Sequence, residues 1–217
     1  MILDLFETEP PDSPKREILS EGTTLLRGSA LSVADGLLQE LTEIIKTAPF
    51  RRMTTPGGFR MTVETTCCGE WGWTIDADGY RYTQIDPEGG RPWPAMPDQY
   101  ARFARQMAAL AGFGDFRPDS CLINRYLAGA KMSLHQDRNE RDRTAPIVSV
   151  SLGLPATFLL GGNHRSGAVI RIRLQHGDVL VWGGPDRMRF HGIQPVKPGP
   201  FGATGNTRIN FTFRKAS

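Results

Sequence analysis

From residue 119 onward the chain consists almost entirely of short alternating runs separated by turn residues. Candidate strands fall at 120–127, 147–152, 156–160, 168–174, 178–183 and 207–214, with Gly-Gly, Pro-Gly, Gly-Asp and Gly-Pro between or beside them. Val148, Val150 and Leu152 alternate with Ser149 and Ser151. Ile170 and Ile172 alternate with Arg171 and Arg173. A period of two sends successive side chains to opposite faces of a sheet. Many short strands of this kind predict a sandwich or jelly roll.

The residues ahead of this run supply what covers it. Residues 1–20, with Pro-Pro-Asp-Ser-Pro and no apolar period, read as an extended arm, and residues 21–217 as one domain. Thr23 to Leu26 is a short strand candidate. The spacing of Leu37, Leu38, Leu41, Ile44 and Ile45 predicts an amphipathic helix over 32–47, with Ser32 as N-cap and Pro49 as its stop. Tyr100, Phe103, Met107 and Leu110 predict a second helix at about 98–111, all four facing the core. Two helices ahead of the strands would cover one outer face of a sheet. Residues 50–95 differ. A strand pattern at 60–66 is followed by Trp71, Trp73, Tyr80, Arg81 and Tyr82 among glycines, which should contribute little core. The segment reads either as a flap whose aromatics and arginines stack bases and meet phosphates, or as an irregular hairpin with Trp packed beneath.

Charge and cysteine usage narrow the class. The chain has 217 residues, 39% hydrophobic and 23% charged, as expected of a soluble globular protein. No apolar run approaches a membrane span, and the first residues lack the pattern of a signal peptide. Cys67, Cys68 and Cys121 are odd in number, and two are adjacent, which suits a reducing cytoplasm better than a disulfide framework. Residues 1–21 carry a net −4 and the whole chain +3, so the body is moderately basic. That permits a polyanionic partner without requiring one.

His135 and Asp137 stand two apart, and in a strand they would share a face. Together they are two thirds of a 2-His-1-carboxylate triad, which binds Fe(II) and leaves coordination positions open. His191, at the end of an apolar run, is the best candidate for the third ligand. Composition alone gives a His-x-Asp by accident roughly one time in four, so the context must carry the argument. His164 and His176 sit in turn-rich stretches and read as exposed or capping residues.

The last strand is more informative. Period two puts Arg208, Asn210, Thr212 and Arg214 on one face and Ile209, Phe211 and Phe213 on the other. Two arginines facing inward are costly unless an anion pairs with them. Their Cα atoms would be about 20 Å apart, within reach of a small dicarboxylate lying between the two side chains. Asn124 and Tyr126 share a face of the 120–127 strand and can donate to the same ligand. A polar solvent face on an edge strand is the competing reading.

Several blocks together closely resemble the bacterial AlkB family. They are Asn124-Arg125-Tyr126, Lys131 through Asp137, Ala145 through Gly153, Gly177 through Gly184, His191-Gly-Ile193 and Arg208-x-Asn210-x-Thr212-x-Arg214. Thr55-Pro-Gly-Gly58 and Trp93 through Pro97 extend the resemblance, which runs from about residue 20 to the end. It implies a mainly β (α+β) double-stranded β-helix, a jelly roll with flanking N-terminal helices, and a nucleotide-recognition lid over 50–95. It implies an Fe(II)/2-oxoglutarate dioxygenase that uses O2 to demethylate N1-methyladenine and N3-methylcytosine in DNA, and often RNA, acting as a cytoplasmic monomer. By resemblance His135, Asp137 and His191 bind the metal. Arg208, Asn124 and Tyr126 hold the far carboxylate of 2-oxoglutarate, with Asn210 and Arg214 nearer its metal-bound end. Trp73 stacks on the base, Tyr80 meets the nucleic-acid backbone, and Arg165 lines the base pocket, with Arg81, Tyr82 and Asn139 as further substrate contacts. The sequence departs from the family at Asn139, where bacterial relatives often carry an acidic residue. Two alternatives stand beside this: a non-enzymatic cupin-like metal module, and a 2-oxoglutarate oxygenase acting on protein or a small molecule.

Overall fold

The computed structural model describes residues 15–76 and 79–217. Most of the arm expected over 1–20 lies outside the described residues. Its last part, Arg16–Ser20, forms strand β1 and pairs antiparallel with β2 (Thr23–Leu26). The other strands are β3 (Glu64–Gly69), β4 (Gly72–Asp76), β5 (Gly79–Thr83), β6 (Ser120–Tyr126), β7 (Met132–His135) and β8 (Ile147–Gly153). They continue with β9 (Ala156–Leu160), β10 (Ile170–Leu174), β11 (Val179–Trp182), β12 (His191–Ile193) and β13 (Arg208–Arg214).

From β6 onward the strands distribute between two facing sheets, as a jelly roll requires. The larger sheet has the order β1-β2-β11-β8-β13-β6-β3, and the smaller one β10-β9-β12-β7. All their pairings are antiparallel. The period-two reading of the last strand decides which face is which. Ile209, Phe211 and Phe213 turn outward, with Val148, Val150 and Val181, into a core closed by helices α1 (Ala34–Thr47) and α2 (Asp98–Leu110). Tyr100 of α2 meets Phe211 edge-on at 5.2 Å and Phe213 at 6.0 Å. On the other face of the same sheet, Leu25, Leu180, Trp182 and Tyr126 pack with Phe158, Leu160 and Ile172 of the smaller sheet.

Four sequence expectations change. Helix α1 begins at Ala34 behind a 3₁₀ turn over Leu31–Val33. Ser32 therefore does not cap it, and Val33 at the N-cap position makes no side-chain bond. The strand expected at 60–66 is displaced to β3, because residues 51–61 fold back on themselves through the Thr54–Arg60 bridge. The 50–95 segment does supply core. β3 is a full member of the larger sheet, and Val63, Cys67, Cys68 and Trp93 are buried. Leu110 is 42% exposed, while the small faces of Ala104, Ala108 and Ala111 meet the sheet in its place. Among the described residues no helix is long and apolar enough to cross a membrane.

Phe211 is fully buried against Tyr100 of α2, in the core that both helices close. Phe211→Ala should therefore lower unfolding stability by about 3–5 kcal/mol, transfer and cavity costs combined. Urea denaturation checks this, and a loss below about 1 kcal/mol would mean that the helices do not depend on that contact.

Candidate active site

The smaller sheet and the segment that follows β7 bring the three expected metal ligands together from separated parts of the chain. His135 and His191 face each other directly across the β7–β12 pair. That approach needs a glycine beside His191, since a Cβ on Gly192 would lie 2.6 Å from the Met132 carbonyl oxygen. The strand reading of His135 and Asp137 holds only in part: β7 ends at His135, and Asp137 follows in an irregular segment. His191 opens its own short strand and does not end a longer run. One ligand atom from each of the three residues falls within 4.8 Å of the others.

The tautomers follow from the hydrogen bonds. His135 Nδ1 lies 2.8 Å from the Ser133 carbonyl oxygen, and His191 Nδ1 lies 3.0 Å from that of Arg189. A carbonyl only accepts, so each Nδ1 carries the proton and each Nε2 keeps its lone pair. Those Nε2 atoms are the ones facing Asp137, at 3.7 Å from Oδ1 and 3.6 Å from Oδ2. Burial, with His191 adding to it, pushes the His135 pKa down to about 4. Burial opposes ionisation of Asp137, but the Arg214 guanidinium outweighs it and holds that carboxyl well below the usual range. Two imidazoles that turn Nε2 toward one carboxylate are the donor set that suits Fe(II).

The inward face of β13 forms one wall of the site and is not a solvent face: Arg208 is 1% exposed and Arg214 5%. The two arginines have different surroundings. Arg214 is committed through two of its nitrogens, with Nη2 at 2.7 Å and Nε at 3.1 Å from Asp137 Oδ2 and Nε 3.3 Å from Glu140 Oε1, and only its Nη1 is buried without a partner. Burial works against its charge, but the neighbouring Asp137 and Glu140 raise its pKa. Arg208 donates one bond, from Nη2 to Ser151 Oγ at 2.9 Å, and its Nε and Nη1 are buried without partners. Burial lowers its pKa, and Tyr126 beside it works the other way, with the guanidinium 5.0 Å over the tyrosine ring. A buried guanidinium with two unmatched donors is a site for a bidentate anion. Register pairs Arg208 with Tyr126 and Asn210 with Asn124. Asn124 Oδ1 is also buried and unpartnered. Asn210 is engaged within the sheet: its Nδ2 donates to Ser149 Oγ and the Val150 carbonyl, and its Oδ1 accepts from Thr212.

A hairpin carries the expected aromatics. Register on β4–β5 sets Trp73 opposite Tyr82 and Ile75 opposite Tyr80, so these four share a face, while Arg81 pairs with Thr74 on the other. Trp73 and Tyr80 stack at 5.8 Å with 28° between their planes. Trp73 also packs on the small core of Ala48, Cys67, Trp93 and Leu122. Tyr80 is 44% exposed, whereas Tyr82 is turned inward and donates to Glu140 Oε1 at 2.7 Å. Asn139 is exposed, with Nδ2 donating to the Tyr80 carbonyl oxygen at 3.0 Å. Arg165 stands on an exposed loop, its guanidinium 5.6 Å from the Phe190 ring. Of the other histidines, His164 is exposed and His176 accepts from the Gly153 N–H.

Sequence reasoning set Glu140 aside, because consecutive residues usually diverge, and missed Arg187. Glu140 is 4% exposed and Arg187 2% exposed. They form an ion pair at 3.1 Å that lacks hydrogen-bond alignment, and Arg187 also donates to the Asp137 and Ala145 carbonyls. The adjacency of Glu140 to Asn139 was the one available signal, and nothing in the pattern around Arg187 marked it.

Residues 24–214 match the 2OG-Fe(II) oxygenase superfamily. Over 216 residues the chain is 50% identical to the alpha-ketoglutarate-dependent dioxygenase AlkB of Salmonella typhimurium, covering 100% of this chain and 99% of that one. The chain belongs to the AlkB family. Human nucleic acid dioxygenase ALKBH1 is 35% identical over 107 residues, 49% of this chain and 28% of its own length. The solved structure of OsALKBH1 superposes with a TM-score of 0.79 at 24% identity, over 93% of this chain and 100% of that one, which bears on the fold. As an AlkB-family member the protein is an Fe(II)- and 2-oxoglutarate-dependent dioxygenase, and the non-enzymatic cupin-like alternative falls away. The donor set and the orphaned Arg208 donors fit that metal and that dicarboxylate.

The His135 pKa can be tested directly. In metal-free protein, NMR should show this imidazole titrating near pH 4, against about 6.5 when unfolded. Because folding lowers the pKa, its contribution to stability is complete above about pH 6.5 and is lost as pH falls toward 4. A midpoint near 6.5 in the folded protein would contradict that lowering.

Proposed function

We propose that this AlkB-family chain oxidatively demethylates N-alkylated bases, N1-methyladenine and N3-methylcytosine, in single- or double-stranded DNA and also in RNA, acting as a cytoplasmic monomer. The observation that carries the reading is the aromatic face of β4–β5, with Trp73 against Tyr80, joined by Asn139 and Glu140 to the segment that bears the metal ligand Asp137. A π-face beside the metal ligands suits a nucleobase, and stacking tolerates any base. The name of the human relative, a nucleic acid dioxygenase, supports the same class.

In this reading His135 and His191 offer Nε2 and Asp137 a carboxylate oxygen to iron, while Arg208 takes the far carboxylate of 2-oxoglutarate through Nε and Nη1. Tyr126 and Asn124 complete that end of the pocket, and Asn210 and Arg214 shape the end near the metal. Bound there, iron with 2-oxoglutarate and O2 supplies the oxidation that hydroxylates the N-methyl carbon, with succinate and CO2 as coproducts; the hydroxymethylated base then loses formaldehyde. Apart from β3, which belongs to the larger sheet, residues 50–95 act as a nucleotide-recognition lid. The target base leaves its stack to reach the centre, and a base that cannot pair normally does so at lower cost. Trp73 stacks on it, Tyr80 and Arg81 meet the backbone, and Tyr82, Arg165 and Asn139 border the pocket. Asn139 keeps an acceptor oxygen where an acidic residue would add charge, so selection for cationic bases rests less on electrostatics here.

Mass spectrometry of a methylated oligonucleotide, incubated with protein, Fe(II), 2-oxoglutarate and ascorbate, should show loss of one methyl group with formaldehyde released. Retention of the methyl group, with 2-oxoglutarate consumed instead on a protein or small molecule, would overturn the substrate assignment. Trp73→Ala should weaken oligonucleotide binding by about 1–3 kcal/mol and leave 2-oxoglutarate turnover without nucleic acid largely intact. Equal loss of both would make Trp73 a core residue only. Arg208→Ala should weaken 2-oxoglutarate binding by about 1.5–3 kcal/mol, the usual size of a charge-assisted hydrogen bond. Unchanged affinity by calorimetry would reject Arg208 as the dicarboxylate partner.

A further inference from the structure

Glu140 has no part in the mechanism above, yet it is among the most enclosed charges in the protein, 4% exposed on an irregular segment. A carboxylate persists in such a place only where partners replace its water. Three elements provide them. Tyr82 of β5 donates its hydroxyl to Oε1 at 2.7 Å. Arg214 of β13 brings Nε to 3.3 Å from the same oxygen, and Arg187 brings Nη2 to 3.1 Å from Oε2.

Both arginines then reach on to Asp137. Arg214 Nη2 lies 2.7 Å from its Oδ2, and Arg187 Nη1 donates to its backbone carbonyl at 2.7 Å. The cluster holds two carboxylates and two guanidiniums and balances in charge. Without Glu140, Asp137 would face two cations alone, and the oxygen needed by a metal would be drawn toward Arg214. The bond from Asn139 to the Tyr80 carbonyl is a second tie between this segment and β5.

We propose that Tyr82 and Glu140 are positioning residues that link the β4–β5 hairpin to the metal site: acting through Arg214, they set how Asp137 presents its carboxylate. The hairpin that carries the stacking aromatics therefore also steadies a metal ligand. Groups beyond the ligands orient them in this way at metal centres generally. The inference rests on the reading of His135, Asp137 and His191 as the metal ligands.

The test is Mn(II) binding, followed by electron paramagnetic resonance, with 2-oxoglutarate present and nucleic acid absent. Glu140→Gln removes the charge and keeps the shape, and should weaken Mn(II) binding about 10–100-fold, the usual range for such partners. Tyr82→Phe removes only the hydroxyl and should weaken it by about 3–10-fold, the size of one hydrogen bond. In both variants the electron paramagnetic resonance line shape of the Mn(II) that still binds, which reports how the ligands surround it, should also change. Mn(II) affinity within twofold of wild type in a folded Glu140→Gln overturns the relay; where that variant fails to fold, the same result for Tyr82→Phe does so. Weaker binding with an unchanged line shape also overturns it, because a general loosening of the fold would then explain the loss. Failure of the functional reading looks different: wild-type protein would bind Mn(II) tightly, the variants would bind it weakly, and no methylated base would be repaired.

Discussion

The buried ion cluster of Asp137, Arg214, Glu140 and Arg187 is the constraint on which the rest of the site depends. Placing four charges between two β-sheets is costly, and removing one partner of a buried pair typically costs about 3–5 kcal/mol. The cluster therefore has to form complete. It ties together β13 of the larger sheet, the turn before β12, the segment after β7 and the β4–β5 hairpin. These are the elements that must agree in position for His135, Asp137 and His191 to converge.

The cluster also separates two arginines that look alike in sequence. Arg214 is neutralised by carboxylates of its own chain, whereas Arg208, six residues earlier on the same face, has two buried donors without an acceptor. One is part of the frame, and the other keeps buried donors unmatched, as a bidentate anion would require. The period of β13 explains why both are present. The face opposite Ile209, Phe211 and Phe213 must point between the sheets, and the helices on the outer side fix that orientation.

Much of this was legible from the residues. Alternation alone located β6, β8, β9, β11 and β13 to within two residues of their observed ends, and it assigned the two faces of β13. Helical spacing located α1 and α2. The rest failed for identifiable reasons. β7 and β12 are too short to show a period, so His135 and His191 were assigned to strands without the register that pairs them. The fold-back at 51–61 moved β3 beyond the alternating run that suggested it. Glu140 was the largest omission. A glutamate beside an asparagine in a polar loop carries no local sign of burial, and its reason for turning inward lies in Tyr82, Arg187 and Arg214, all more than 40 residues away in sequence.

A crystal structure with Mn(II) in place of iron and 2-oxoglutarate added, prepared without O2, tests the central claim most directly. The account predicts the metal bound by Nε2 of His135, Nε2 of His191 and the Asp137 carboxylate. It predicts the far carboxylate of 2-oxoglutarate on Nε and Nη1 of Arg208, with Arg214 still paired to Asp137 and Glu140. A far carboxylate bound by Arg214, with the Asp137–Arg214 pair broken and the Arg208 donors still unmatched, would contradict it.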